Sequence, residues 1–210
     1  MCFSFELSIF TFSIAILSGL TALFLKQYIL GILILCYAQI QFSEILIWYA
    51  LNNNNNKINK IGTQYGKFLL PAHNIAIGLG IYFTSGQILP LLIGLVFYIS
   101  IIIYYNVNCD CDEITKLPEC KSSGKKCDKF AGKLQWPYPH DWYLISFIIT
   151  TLLLFIYVKP FNISLLIVLF YWFFYVITWF INFYNAYGSY WCWIMALTTP
   201  IIVFLCQIFK

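Results

Sequence analysis

The apolar segments of this sequence contain few groups able to do chemistry, and most of them fall in two places. The first is the run Tyr37-Ala38-Gln39-Ile40-Gln41-Phe42-Ser43-Glu44-Ile45-Leu46-Ile47-Trp48. At 100° per residue, Tyr37, Gln41, Glu44 and Trp48 share one narrow helical stripe. A carboxylate near the middle of a membrane span costs on the order of 2.5–3.5 kcal/mol, so this stripe must face a bundle interior and a partner. The second place is Pro71-Ala72-His73-Asn74, at the start of the next apolar segment. Consecutive spans run antiparallel, which puts Glu44, near the end of its segment, and His73 at similar depth. A Glu44 to His73 contact, direct or through Gln41 or water, is the expected constellation. It suits proton handling or the binding of a small polar solute, and it suits equally a clasp that only orients two helices.

These groups need a scaffold, and the composition names its solvent. The 210 residues are 61% hydrophobic, 20% aromatic and 10% charged. Soluble domains are about 45–50% apolar and about 25% charged, so a water-exposed particle is excluded and a lipid bilayer is the implied partner. There is no arginine and the formal charge is only +4, which excludes nucleic-acid binding by charge. Seven apolar runs fall near residues 5–25, 28–51, 67–85, 87–105, 142–158, 161–183 and 189–208. The predicted fold is therefore all-α: a polytopic seven-transmembrane-helix bundle forming one membrane domain over 1–210. The first run lacks a basic leader and a cleavage site and reads as a retained span.

Proline and glycine refine this scheme. Pro71 is placed in the first turn of the third span, and Pro200 in the middle of the seventh, where it frees a carbonyl near Ala196 that a neighbour must satisfy. Ala72, Ala76 and Gly80 give a shallow face for close helix approach. With seven spans, the loops near 52–66 and 106–141 share a side with the N-terminus. Nine lysines lie on that side, Lys67 at its membrane edge, against Lys26, Lys159 and Lys210 on the other. The positive-inside rule then makes the N-terminus cytoplasmic. No lysine is expected inside a span, which would leave no amine for a retinal Schiff base.

The loop 106–141 holds Cys109, Cys111, Cys120 and Cys127, half of the eight cysteines, with His140 and Asp141 after them. Two disulfides would staple a loop too short to build a core, with three pairings open. Zinc and free thiols remain alternatives, since neither cysteine pair has the two-residue spacer of a zinc knuckle and a cytosolic loop is reducing. The loop is also the candidate surface for a protein partner. The run Asn52–Asn56 reads as an insertion in an exposed turn. Asn182, Asn185 and Tyr190-Trp191-Cys192-Trp193 are weaker site candidates.

The opening Met1-Cys2-Phe3-Ser4, the Gln41-x-x-Glu44-x-x-x-Trp48 motif and the chain length resemble an uncharacterised family of multi-pass membrane proteins of bacteria and giant DNA viruses. Leu70-Pro71-Ala72-His73-Asn74 and the stretch from Tyr190 to Pro200 resemble its viral branch, and the asparagine run and lysine bias fit such a genome. The resemblance implies a seven-helix fold in a host or virion membrane, a site near Glu44, and no defined chemistry. The cysteine-rich loop departs from the bacterial pattern.

Three functions follow from these residues. The first is binding or conduction of a small solute, proton or lipid through a polar cleft lined by Tyr37, Gln41, Glu44, Trp48, His73 and Asn74. The second is a membrane-embedded enzyme using Cys2, Glu44 or His73, and the third a structural membrane or virion component. No nucleotide, nucleophile-elbow or helical metal motif is present, and no cofactor is implied.

Overall fold

The computed structural model describes residues 4–108, 115, 141–181 and 187–209, apart from the side chains at 141, 178–181 and 187–193. Cys2, the four loop cysteines, His140, Asn182 and Asn185 lie outside the described residues, as do the side chains of Asp141 and Tyr190-Trp191-Cys192-Trp193.

The described residues form seven helices and no strand: α1 (Phe5–Phe24), α2 (Tyr28–Asn52), α3 (Asn56–Ser85), α4 (Leu89–Asn108), α5 (Asp141–Tyr157), α6 (Phe161–Ile181) and α7 (Tyr187–Ile208). The helices α1 to α4 are long and apolar enough to cross a membrane, and α5 to α7 contribute shorter apolar stretches over the described residues, Trp142–Tyr157, Phe161–Ile177 and Ile194–Ile208. The surface is inverted relative to a soluble protein. Phe10, Leu17, Phe24, Val96, Ile103 and Phe204 are exposed, whereas Thr11, Gln41, Glu44, Asn59, His73 and Asn74 are buried. This is the arrangement lipid demands, with polar side chains turned inward to find partners.

The largest departure from the sequence expectation is α3. It begins at Asn56, eleven residues before the expected start at 67, so the loop 52–66 contracts to a turn at 53–55. The asparagine run has positional roles there. Asn54 takes a left-handed φ of 51°, which asparagine tolerates, and the Asn55 side chain caps α3 by accepting from Ile58 N at 3.1 Å. A hydropathy criterion stops at Lys57, Lys60 and Gln64. The helix continues because Asn59, Gly62, Thr63, Gly66 and Lys67 form one buried stripe with Leu70 and His73. Two further corrections follow. Pro71 stands in the interior of a 30-residue helix instead of its first turn. Lys67, expected at a membrane edge, is within α3 and only 4% exposed. At 1.5 Å per residue α3 is about 45 Å long, more than the ~30 Å hydrocarbon core.

Close approaches fix the register. Gly80 of α3 lies against the Ile29 backbone of α2, His73 against Tyr37, and Gly62 against Ile47, giving an antiparallel α2–α3 pair. On the other side of α3, a Cβ on Gly78 would meet Pro90 O at 2.5 Å, and one on Gly94 would fall on the Asn74 carbonyl oxygen. Of the expected small-residue face, Ala76 and Gly80 are buried and Ala72 is half-buried. α5 is joined to α4 by Trp142 Nε1 donating to Ser100 Oγ at 3.3 Å, and to α6 by Trp172 Nε1 donating to Thr151 Oγ1 at 3.2 Å. In α7 the carbonyl of Ala196, deprived of its helical donor by Pro200, accepts from Thr199 Oγ1 at 2.8 Å, so the lost donor is replaced from within the helix. At its end α3 stops on Gly86, whose φ of 74° suits the left-handed cap and whose N–H donates to Tyr82 O.

Because α4 touches the α3 backbone at Gly94, Gly94→Ala should lower stability in detergent by roughly 1–3 kcal/mol. Leu95→Ala, at an exposed position of the same helix, should change it by less than about 0.5 kcal/mol. Denaturant titration followed by tryptophan fluorescence measures both.

Candidate functional site

The α2 stripe is buried along its whole length: Tyr37 is 2% exposed, Gln41 1%, Glu44 0% and Trp48 6%. Gln41 Oε1 accepts from Thr11 Oγ1 of α1 at 2.8 Å, which ties the stripe to the first helix. Two residues on, Ser43 Oγ donates to Gly62 O at 2.6 Å, a bond that the absent side chain of Gly62 makes room for.

His73 sits in an aromatic box. Its ring centroid is 4.2 Å from that of Tyr37, 6.0 Å from Tyr143 and 6.2 Å from Phe147. Tyr171 of α6 closes the box, stacked on Tyr37 at 5.5 Å. The Nδ1 atom lies 2.8 Å from Leu70 O, and a carbonyl can only accept, so the proton is on Nδ1. The Tyr143 oxygen, 3.2 Å from the same atom, completes a bifurcated bond. Nε2 therefore keeps its lone pair, and it has no partner among the described residues although it is buried. Such a nitrogen can accept a proton or a donor group without disturbing the bond that orients the ring.

Asn74, next in sequence, points to α5. Its Nδ2 donates to Ser146 Oγ at 3.1 Å and to Pro71 O at 3.2 Å, while its Oδ1 accepts from Thr150 Oγ1 at 2.8 Å. Ser146 Oγ in turn donates to Tyr143 O at 2.7 Å. The amide thus spends every major polar atom on the α3–α5 contact, which makes Asn74 a helix clasp.

The register separates the two groups that the sequence suggested would meet. Tyr37, not Glu44, stands level with His73. Glu44 is seven residues further along α2, about 10 Å along the axis, at the level of residues 65–66 of α3. The described partners of His73 are Leu70, Tyr143 and the surrounding rings, and Glu44 is not among them. The stripe Tyr37-Gln41-Glu44 spans the distance between them.

Sequence reasoning missed a second polar cluster beyond Glu44. Asn59 Nδ2 donates to Thr115 O at 3.0 Å and Asn59 Oδ1 accepts from Thr115 N at 3.1 Å, so the side-chain amide pairs with a backbone as a strand would. Thr63 Oγ1 lies 2.8 Å from Thr115 Oγ1 and accepts from Thr115 N at 3.0 Å. Further on, the buried Lys67 Nζ donates to Asn106 Oδ1 of α4 at 2.9 Å. The four-residue spacing of Asn59, Thr63 and Lys67 was a readable signal. Their partners, far away in the sequence, were not. Together the clusters form a polar column from Asn59 to Asn74, about 22 Å of α3.

No family model, curated protein or solved structure matches the chain.

The α3–α5 clasp can be weighed directly. A double-mutant cycle on Asn74→Ala and Thr150→Ala should give a coupling of about 0.6–1.7 kcal/mol, the range for interhelical hydrogen bonds in membranes. A coupling near zero, measured by unfolding in mixed micelles, would show that the two side chains act independently.

Proposed function

We propose that the chain is a multi-pass integral membrane protein that moves or binds a proton or small polar solute along the interior column of α2 and α3. One observation carries the reading: two proton-accepting side chains, Glu44 and His73, are fully buried in one bundle whose outer surface is apolar. A buried ionisable group is retained in a membrane interior against its insertion cost, and a pathway gives a reason for that. Nε2 of His73 has the free lone pair that transfer requires. The stripe Tyr37-Gln41-Glu44 supplies polar atoms between the two levels, and Asn59, Thr63 and Lys67 extend them toward the α2–α3 turn.

In this reading all seven helices cross the bilayer, α5 to α7 with α1 to α4, and the N-terminus is cytoplasmic together with the α2–α3 turn and the start of α3 carrying Lys57 and Lys60. The resemblance to the viral branch of a multi-pass family makes a host or virion membrane the proposed location.

Two measurements test this. Purified protein in liposomes loaded with a pH-sensitive dye should dissipate an imposed pH gradient faster than empty liposomes, and both Glu44→Gln and His73→Phe should return the rate to that of empty liposomes. Equal rates for wild type and empty vesicles would reject proton transfer. For the topology, seven crossings put tags at the two ends on opposite faces, so protease added to sealed vesicles should remove one tag and spare the other. Removal of both, or of neither, would reject an odd number of crossings.

A further inference from the structure

At the end of the bundle away from the α2–α3 turn, α1, α3, α5 and α7 finish and α2, α4 and α6 begin. Between them lies a pocket of about 230 Å³. Its lining is divided by chemistry. Ile29, Ile163 and Ile167 give it an apolar floor, and Lys26 and Lys159 stand at its rim. These are the only lysines among the described residues at this end, and they come from two separate turns, α1–α2 and α5–α6.

The start of α2 adds a third feature. Tyr28, Ile29 and Leu30, the first three residues of that helix, all line the pocket. The cap residue Gln27 makes no side-chain bond to them. Its amide instead turns to α7, where Nε2 donates to Val203 O and to Gln207 Oε1, each at 3.2 Å. The first N–H groups of a helix have no intrahelical acceptor and carry the positive end of its dipole. By contrast, the start of α3 at the other end is closed by the Asn55 side chain.

We propose that this pocket binds the headgroup and upper acyl chain of an anionic phospholipid. The phosphate is held between Lys26, Lys159 and the uncapped turn of α2, and the chain lies on the isoleucine floor. Anionic charge matches two lysines and a helix N-terminus, while the apolar floor at a membrane edge selects an amphiphile over a free anion. The site is separate from the interior column and does not depend on the proposed transfer.

The test is native mass spectrometry of the full-length protein released from vesicles of equal phosphatidylglycerol and phosphatidylcholine. A lysine near an anionic lipid favours it by about fivefold, so with two lysines the wild type should retain phosphatidylglycerol with a preference of roughly twenty-five-fold. The double variant Lys26→Ala/Lys159→Ala should lose that preference, while Lys57→Ala/Lys60→Ala, which removes the same charge at the opposite end, should keep it. Ile163→Trp, which fills the floor and leaves both lysines in place, should also lose the retained lipid. Excess inorganic phosphate should not displace it. Equal retention of the two lipids by the wild type, an equal loss in the Lys57/Lys60 control, or displacement by phosphate alone would overturn the proposal.

Discussion

Inside a bilayer there is no water to complete a hydrogen bond, so every polar side chain on a spanning helix must find its partner within the protein. That constraint organises the whole bundle. Thr11 meets Gln41, Ser43 meets the Gly62 carbonyl, Asn74 meets Ser146 and Thr150, and Lys67 meets Asn106. Each pair joins two different helices, so satisfying the polar atoms and assembling the fold are the same event. Apolar residues pack between these polar pairs, as Leu33, Ile77, Ile101 and Phe147 do, and others such as Leu17, Val96 and Phe204 face outward.

α3 is where most of these demands converge. It contacts α2 through Gly62, His73 and Gly80, α4 through Gly78 and Lys67, α5 through Asn74, and residue 115 through Asn59 and Thr63. Its glycines allow neighbouring backbones close enough for short side chains such as Ser43 to reach across. Its interior proline removes one N–H from the ladder at Pro71, and the carbonyls around it are drawn into side-chain bonds, with His73 Nδ1 on Leu70 O and Asn74 Nδ2 on Pro71 O. The ring of His73 is thereby fixed in a tautomer that presents Nε2 to the interior. Local helix geometry and the chemistry of the candidate site are coupled at this turn.

The two ends of the bundle differ in how they treat exposed helix termini. Near the α2–α3 turn the asparagine run closes both helices, with Asn53 Nδ2 donating to Tyr49 O and Asn55 capping α3. At the other end the α2 N-terminus is left open beside two lysines and an apolar floor. At the first end asparagine side chains cap the helix termini, and at the other the first turn of α2 has no side-chain cap.

The stripe of Tyr37, Gln41, Glu44 and Trp48 was legible because a single helix fixes which side chains share a face, and the apolar context fixes that the face is inward. The carbonyl freed by Pro200 was legible for the same local reason. The start of α3 was not, since hydropathy averages over both faces of a helix and so overlooks one that is polar on two sides. Depth was not legible either. The relation of Glu44 to His73 depends on how far α2 slides along α3, and that is set where Gly62 and Gly80 let backbones touch. Thr115 docking on Asn59, and Ser146 and Thr150 docking on Asn74, join residues more than fifty positions apart. Sequence alone determined the solvent, the helices and the inward stripe, because these follow from side-chain polarity and helical period. Tertiary structure decided register and partnership, because both depend on contacts between segments that no local pattern encodes.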